Sequence, residues 1–253
     1  MLHAITRAVS RSIAACELTW LPREPIDPGL AIAQHHEYER ALREMGARVI
    51  SLPEEPDLPD AVFVEDPLLV FDELAIVTRP GAASRRAECD SLAAAIAPFR
   101  TVYSLGEPCT LEGGDVMRIG REIFVGLSSR TNTAGIDRLR QILAPFGYQV
   151  HPVDVRGCLH LKSACCPLDE GRILANRAWL DCAPLREYEV VDVAPEEPAA
   201  ANVLCIGGTV LMPRAFAHTQ EIVRSLGLSV RTVDISELMK AEAAITCSSV
   251  LFE

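Results

Sequence analysis

A thiol, an imidazole and several carboxylates stand at equivalent points of a repeating pattern in this chain. Cys247 opens the apolar run in ITCSSVLF, His160 opens LHLKS, Glu112 and Asp115 lie in LEGGD, and Glu65 and Asp66 lie in FVEDP. This is the equipment of covalent catalysis, in which a thiolate attacks, an imidazole moves protons and carboxylates hold a cation. Carboxylates placed together suit a small cationic substrate, which they hold by charge-assisted hydrogen bonds. A free cysteine is mostly un-ionised near neutrality, but a bound cation beside it lowers its pKa.

Each residue alone has an ordinary explanation. A cysteine is usually a small buried hydrophobe, a histidine is often a satisfied structural residue, and acids beside a proline or a Gly-Gly pair decorate loops. Their shared placement is what points to an enzyme, and that placement comes from a repeat. Five apolar stretches end in arginine, at Arg7, Arg79, Arg130, Arg177 and Arg214, and each reads as a buried strand leaving a sheet. Four are followed by helix-compatible stretches such as AIAQHHEYERALREMG and AGIDRLRQILAPFG, three of which close on Gly46, Gly147 and Gly227. After the helices come outer strands (GARVISL, FRTVYSL, GYQVHPV, GLSVRTV), then hairpins turning at FDE (71–73), RIGRE, LDEGR and CIGGT. The fourth unit has only a short, proline-broken helix around WLDCAPLREYEVVDV.

The last segment, CSSVLFE, is a first hairpin strand with no partner after it, and MLHAITR is a second strand with no partner before it. Pairing them closes a ring and removes open sheet edges. The sequence therefore predicts a single α/β domain over residues 1–253, a five-bladed propeller of ββαβ-type repeats with the termini joined in one blade. Residues opening the hairpins, Asn202 among them, converge near the ring axis. The long, proline-rich loop ELTWLPREPIDPGL (17–30) reads as a lid over that point, with Leu18 reaching inward.

The formal charge of −11 argues against a nucleic-acid surface, and there is no long apolar segment for a membrane. Nine cysteines without CxxC spacing read as reduced thiols in a cytoplasmic setting. The basic, acid-free start around Arg7 and Arg11 invites comparison with a targeting peptide, but the repeat accounts for MLHAITR. No zinc site or phosphate loop is visible. His35 and His36, adjacent in AQHHEYER, point to different helix faces and are expected on a solvated surface, while Cys165-Cys166 is expected in the core.

FVEDP, RPGAASRRAE, LEGGD, SSRTN, LHLKS and TCSSVLF, in this order, resemble the dimethylarginine dimethylaminohydrolase family of the guanidino-modifying (pentein) superfamily over nearly the whole chain. The resemblance implies hydrolysis of Nω-methylated arginines to citrulline and a methylamine, with no cofactor and no metal. It implies Cys247 as nucleophile, His160 as proton donor, and Glu112 and Asp66 as the acids holding the guanidinium. Leu18, Asp60, Glu65, Arg85, Arg130 and Ala241 match positions binding the rest of the substrate, Arg85 and Arg130 on its carboxylate and Asp60 on its ammonium. The expected partner is a small methylated arginine, with a homodimer as the assembly left open. One departure stands before the cysteine, where Ala241, Glu242, Ala243 and Ala244 replace the family's Asp and glycines. The arginine-deiminase and amidinotransferase relatives share the Cys, His and acid layout and stay as alternatives, although Ala244 and Thr246 favour the dimethylarginine branch. A non-catalytic propeller would have no use for thiol, imidazole and both acids together, and nothing suggests the peptide groove of a cysteine protease.

Overall fold

The computed structural model describes residues 1–253. Five three-stranded sheets share one construction: an antiparallel hairpin whose second strand is central, followed by a third strand parallel to it. The central strands are His3–Arg7, Leu74–Val77, Glu122–Leu127, Arg172–Ala175 and Thr209–Pro213. A parallel return needs a crossover, and helices Pro28–Glu44, Cys89–Ile96, Thr133–Leu143 and Ala217–Ser225 supply it in four units. In the fourth, two short 3-10 turns, Arg177–Trp179 and Ala183–Leu185, do so instead.

Strand alternation explains why the central strands read as continuous apolar runs. Leu74 and Ile76 face one apolar cluster while Ala75 and Val77 face another; Ile123 and Val125 alternate with Phe124 in the same way. Buried on both faces, each central strand serves two clusters, and a fully buried Leu or Ile contributes about 1.5–3 kcal/mol. Each cluster is shared by two neighbouring units. The unit carrying Leu211 and Val233 shares one with the unit carrying Ala4, so the succession returns to its start. The ends close likewise, with His3 opposite Phe252, Ala4 opposite Leu251 and Ile5 opposite Val250. This agrees with the five-bladed ring predicted from the repeat.

The three helix-closing glycines have positive φ, 97° at Gly46, 78° at Gly147 and 81° at Gly227, as a left-handed stop requires. One expectation is corrected. His36 is exposed, but His35 is buried against Tyr38 and Glu39, and its desolvation lowers its pKa to about 4 despite Glu39 at 3.7 Å. The helix puts one member of the pair on its core face, a position that polarity alone did not reveal.

Candidate active site

The segments that precede the five hairpins meet on the ring axis. Asp66, His160 and Cys247 line one narrow cleft together with Asp60, Arg85 and Arg130. Glycines make the approach feasible. A Cβ on Gly113 would stand 1.9 Å from the carbonyl oxygen of Glu65, and one on Gly114 would stand 2.5 Å from His160 Nδ1 and 2.9 Å from Asp66 Oδ1. Gly114 of LEGGD is therefore the space in which the imidazole sits, and Gly113 lets the backbone pass close to Glu65.

Three carboxylates hold His160. Its Nε2 is 2.7 Å from Glu112 Oε2 and its Nδ1 is 4.0 Å from Asp66 Oδ1, while Asp115 Oδ1 accepts the N–H of Leu161 at 2.9 Å and so fixes the backbone beside it. Burial alone would lower the histidine pKa, but Asp66, Asp115 and Glu112 together raise it to about 9. The group is thus an imidazolium at neutral pH. The same charge acts back on Asp66, where burial is outweighed by His160 and Arg85 and the carboxyl pKa falls to about 2.

Cys247 is half-buried in the middle of a 3-10 turn, Thr246–Ser248, and its Sγ accepts the N–H of Ala244 at 3.4 Å. Burial first, then Glu65 and Asp66, pushes its thiol well above the ordinary range, against the lowering influence of Lys162. Without a ligand the thiol keeps its proton, and a cation placed among these carboxylates removes the cause of the shift.

The binding residues expected from the sequence divide into two sets. Asp60, Asp66, Arg85, Arg130 and Ala241 line the cleft. Glu112 is fully buried and stands behind it, accepting from His160, from the N–H of Gly81 at 3.0 Å and from Arg130 at 3.3 Å. Glu65 lies on the far side of Cys247, where it pairs with Lys162 and accepts from Thr246 Oγ1 at 2.7 Å. Leu18 is half-buried against the apolar cluster that includes Ala241 and Phe63. Arg85 is more committed than a simple clamp: Nε and Nη2 bond Glu88 at 3.1 and 2.9 Å, Nη1 bonds Asp66 at 2.6 Å and Nη2 bonds the carbonyl of Phe63 at 3.1 Å. Arg130 is freer, donating to Glu112 and at 2.9 Å to Thr19 Oγ1.

Lys162, Glu88 and Thr246 enter the site without having been assigned a role from sequence. Lys162 follows His160 by two residues in LHLKS, and that proximity was its only signal. Asp66, Glu112 and His160 also bring one ligand atom each within 4.8 Å of one another, enough donors for a divalent ion. The imidazolium form of His160, hydrogen-bonded through Nε2, is not a ligand form, so the arrangement suits proton transfer better than coordination.

Charge gives the site its preference. Six buried carboxylates, Asp60, Glu65, Asp66, Glu88, Glu112 and Asp115, face Arg85, Arg130, Lys162 and His160. Burial raises the pKa values of Asp60, Glu65, Glu88 (to about 7) and Asp115, and neighbouring acids add to the rise at the first three. Such a cleft favours a cation.

A family model described as "N,N dimethylarginine dimethylhydrolase, eukaryotic" matches residues 22–163. An N(G),N(G)-dimethylarginine dimethylaminohydrolase of Streptomyces coelicolor is 40% identical over 248 residues, 98% of this chain and 95% of its own length. The chain belongs to the dimethylarginine dimethylaminohydrolase family. The Pseudomonas aeruginosa dimethylarginine dimethylaminohydrolase, solved as a cysteine-to-serine mutant complexed with citrulline, is 33% identical with a TM-score of 0.94, covering 99% of this chain and 98% of that one. A histidine-to-glycine dimethylarginine dimethylaminohydrolase, solved as an adduct with S-methyl-L-thiocitrulline, is 33% identical with a TM-score of 0.95, covering 99% of both chains. This fold-wide match agrees with the pentein architecture. No helix is long and apolar enough to cross a membrane.

The glycine that makes room for the imidazole supplies a direct check. Gly114→Ala is expected to leave the fold in place and lower kcat about 100-fold, because a displacement of roughly an ångström at a reacting group costs that much. Steady-state citrulline release together with a thermal melt separates this from simple destabilisation.

Proposed function

We propose that this protein hydrolyses Nω-methylated L-arginines to citrulline and a methylamine through a covalent thiouronium on Cys247. The observation that carries the reading is the meeting of Cys247, imidazolium His160 and ionised Asp66 in one acid-rich cleft. Asp66, in the cleft, takes the guanidinium while Glu112 adds its charge from behind through His160, and the positive charge of the substrate lowers the Cys247 pKa so that the thiolate forms beside the carbon it attacks. His160 gives its proton to the departing amine. Neutral His160 then takes a proton from water, hydroxide adds to the thiouronium carbon, and collapse of that adduct releases citrulline and returns the thiolate. At the other end of the cleft, Arg130 with the remaining Nη1 donor of Arg85 meets the substrate carboxylate, and Asp60 meets the ammonium.

Glu65 acts from behind: it bonds Thr246, the residue before the nucleophile, and its pairing with Lys162 places a cation within electrostatic reach of the thiol. Leu18 and Ala241 shape the apolar wall near the amino-acid end. The proposal extends to one catalytic domain over residues 1–253, working in the cytoplasm without cofactor, and to a homodimer as the assembly to be tested by sedimentation. Citrulline release from asymmetric dimethylarginine, monomethylarginine and arginine tests the substrate class. Preference for plain arginine moves the protein to the deiminase branch.

The pH profile carries a definite sign. His160 must be protonated when the amine leaves, so kcat/KM falls as pH rises through about 9, the raised pKa, rather than through the ordinary 6.5. In Glu112→Gln the descending limb moves to lower pH, because one of the carboxylates that raise this pKa is gone. Stability follows by linkage. The His160 contribution is complete below about pH 6.5 and is lost as pH rises through 9. The Asp66 contribution is present above its ordinary 3.8 and is lost as pH falls toward 2. A descending activity limb near 6.5 in the parent protein would sink the assignment of His160.

A further inference from the structure

One acidic side chain at the cleft has no part in the chemistry above. Glu242 stands five residues before Cys247 and has φ of 58°, the one non-glycine residue in the left-handed region. A side-chain-bearing residue adopts that conformation at a cost, and it persists where the surroundings determine it. Here the determinant is visible. The Glu242 carboxylate accepts three successive backbone N–H groups of the lid, from Thr19 at 2.9 Å, from Trp20, and from Leu21 at 2.5 Å. Three backbone donors converging on one carboxylate make a charge-assisted tie.

The lid tip has little else to hold it. Trp20 is 54% and Leu21 48% exposed. Arg23 is spent at the base of the loop on the carbonyls of Ala14 and Cys16, both at 2.6 Å. The second tie at the tip runs from Arg130 to Thr19 Oγ1, and Arg130 is the residue that the incoming carboxylate needs. The Glu242 tie makes no such conflict. Glu242 also borders both the catalytic cleft and a neighbouring cavity of about 350 Å³ walled by Trp20, Leu21, Trp179 and Phe216.

We infer that Glu242 is a positioning residue that latches the lid tip shut over the occupied cleft, joining closure to the segment that carries Cys247. The inference rests on reading the cleft as the substrate site. It explains why an acid stands at a backbone position that glycine would fill more easily.

The chain has two tryptophans, Trp20 on the lid and Trp179. In a Trp179→Phe background, acrylamide quenching of Trp20 reports lid closure independently of activity. Glu242→Gly removes the carboxylate while relieving the φ strain, Glu242→Gln keeps the shape and removes the charge, and Glu242→Asp keeps the charge. The first two are expected to raise the Trp20 quenching constant at least about twofold and the KM for dimethylarginine about tenfold, with kcat changed less and the melting temperature of Glu242→Gly not lowered. Glu242→Asp is expected to restore part of both. Unchanged quenching in Glu242→Gly and Glu242→Gln overturns the latch; raised quenching with unchanged KM overturns its link to substrate binding. A parent protein inactive on methylated arginines would instead refute the functional reading and leave the quenching result standing.

Discussion

Cys247→Ser is expected to leave the protein folded and to abolish citrulline release, with a loss on the order of 10⁴-fold or more, as removal of a covalent nucleophile does elsewhere. The fold survives because Sγ makes one modest contact, the N–H of Ala244 at 3.4 Å, and a serine oxygen accepts that bond equally well. Activity does not survive, for an electrostatic reason. In the proposed mechanism a cation bound among carboxylates moves the Cys247 thiol from above its ordinary range down into the working range. A hydroxyl begins several pH units higher and is never brought within reach. Binding should be largely retained, because the groups assigned to it, Asp66, Asp60 and Arg130, are untouched. Calorimetric titration with citrulline or dimethylarginine, alongside a stopped citrulline assay, checks both halves. Parent-level turnover in Cys247→Ser would end the covalent account.

His160→Gln is expected to cost about 10³-fold in kcat on dimethylarginine, within the range for loss of a positioned acid and base. The same variant should be much less impaired at releasing a leaving group that needs no proton. S-Methyl-L-thiocitrulline supplies one, since methanethiol departs as thiolate. This contrast separates proton donation from mere placement: a histidine that only shaped the cleft would slow both substrates alike. Stability should fall as well. Three buried carboxylates lose the charge that holds them together, and an uncompensated buried charge costs about 3–5 kcal/mol. Glutamine returns a hydrogen bond to Glu112 but not the charge. A thermal melt at pH 7, compared with one near pH 4 where carboxylates begin to protonate, should show the deficit shrinking as the acids neutralise.

The ring was legible because its physics is local. Apolar runs bounded by turn signals, such as LLV and LAIV around FDE, announce strands, and the unpaired runs at the two ends announce how the ring closes. The meeting of Asp66, His160 and Cys247 in one cleft was legible because each precedes a hairpin, and equivalent places in a ring lie near one another. The ion-pair wiring was not legible. Lys162 meets Glu65 across 97 residues, and Asp66 is tied to both Arg85 and His160, so these pairings depend on how units pack against one another rather than on any period within one unit. Arg85 shows the limit well. Its type suggested a clamp on a substrate, yet Glu88, three residues on in the same turn, takes two of its donors. Glu242 shows the opposite case. In the sequence it stands in a run that departs from the family's Asp and glycines, and its contacts become visible only when the lid's N–H groups are seen to converge on it. His35 was misread because a polar residue next to an exposed twin gave no sign of which face the helix would bury.

The central claim is that the thiol of Cys247 forms a covalent bond to the guanidino carbon of the substrate. The most direct test uses the His160→Gly variant with S-methyl-L-thiocitrulline, acid-quenched and mapped by peptide mass spectrometry. Attack expels methanethiol without help from the imidazole, and the missing base leaves the thiouronium without activated water, so the adduct should accumulate. The account predicts one added mass, that of the substrate less methanethiol, on the peptide containing Cys247. The same mass on any of the other eight cysteines, or citrulline formed with no adduct at any time point, would contradict it.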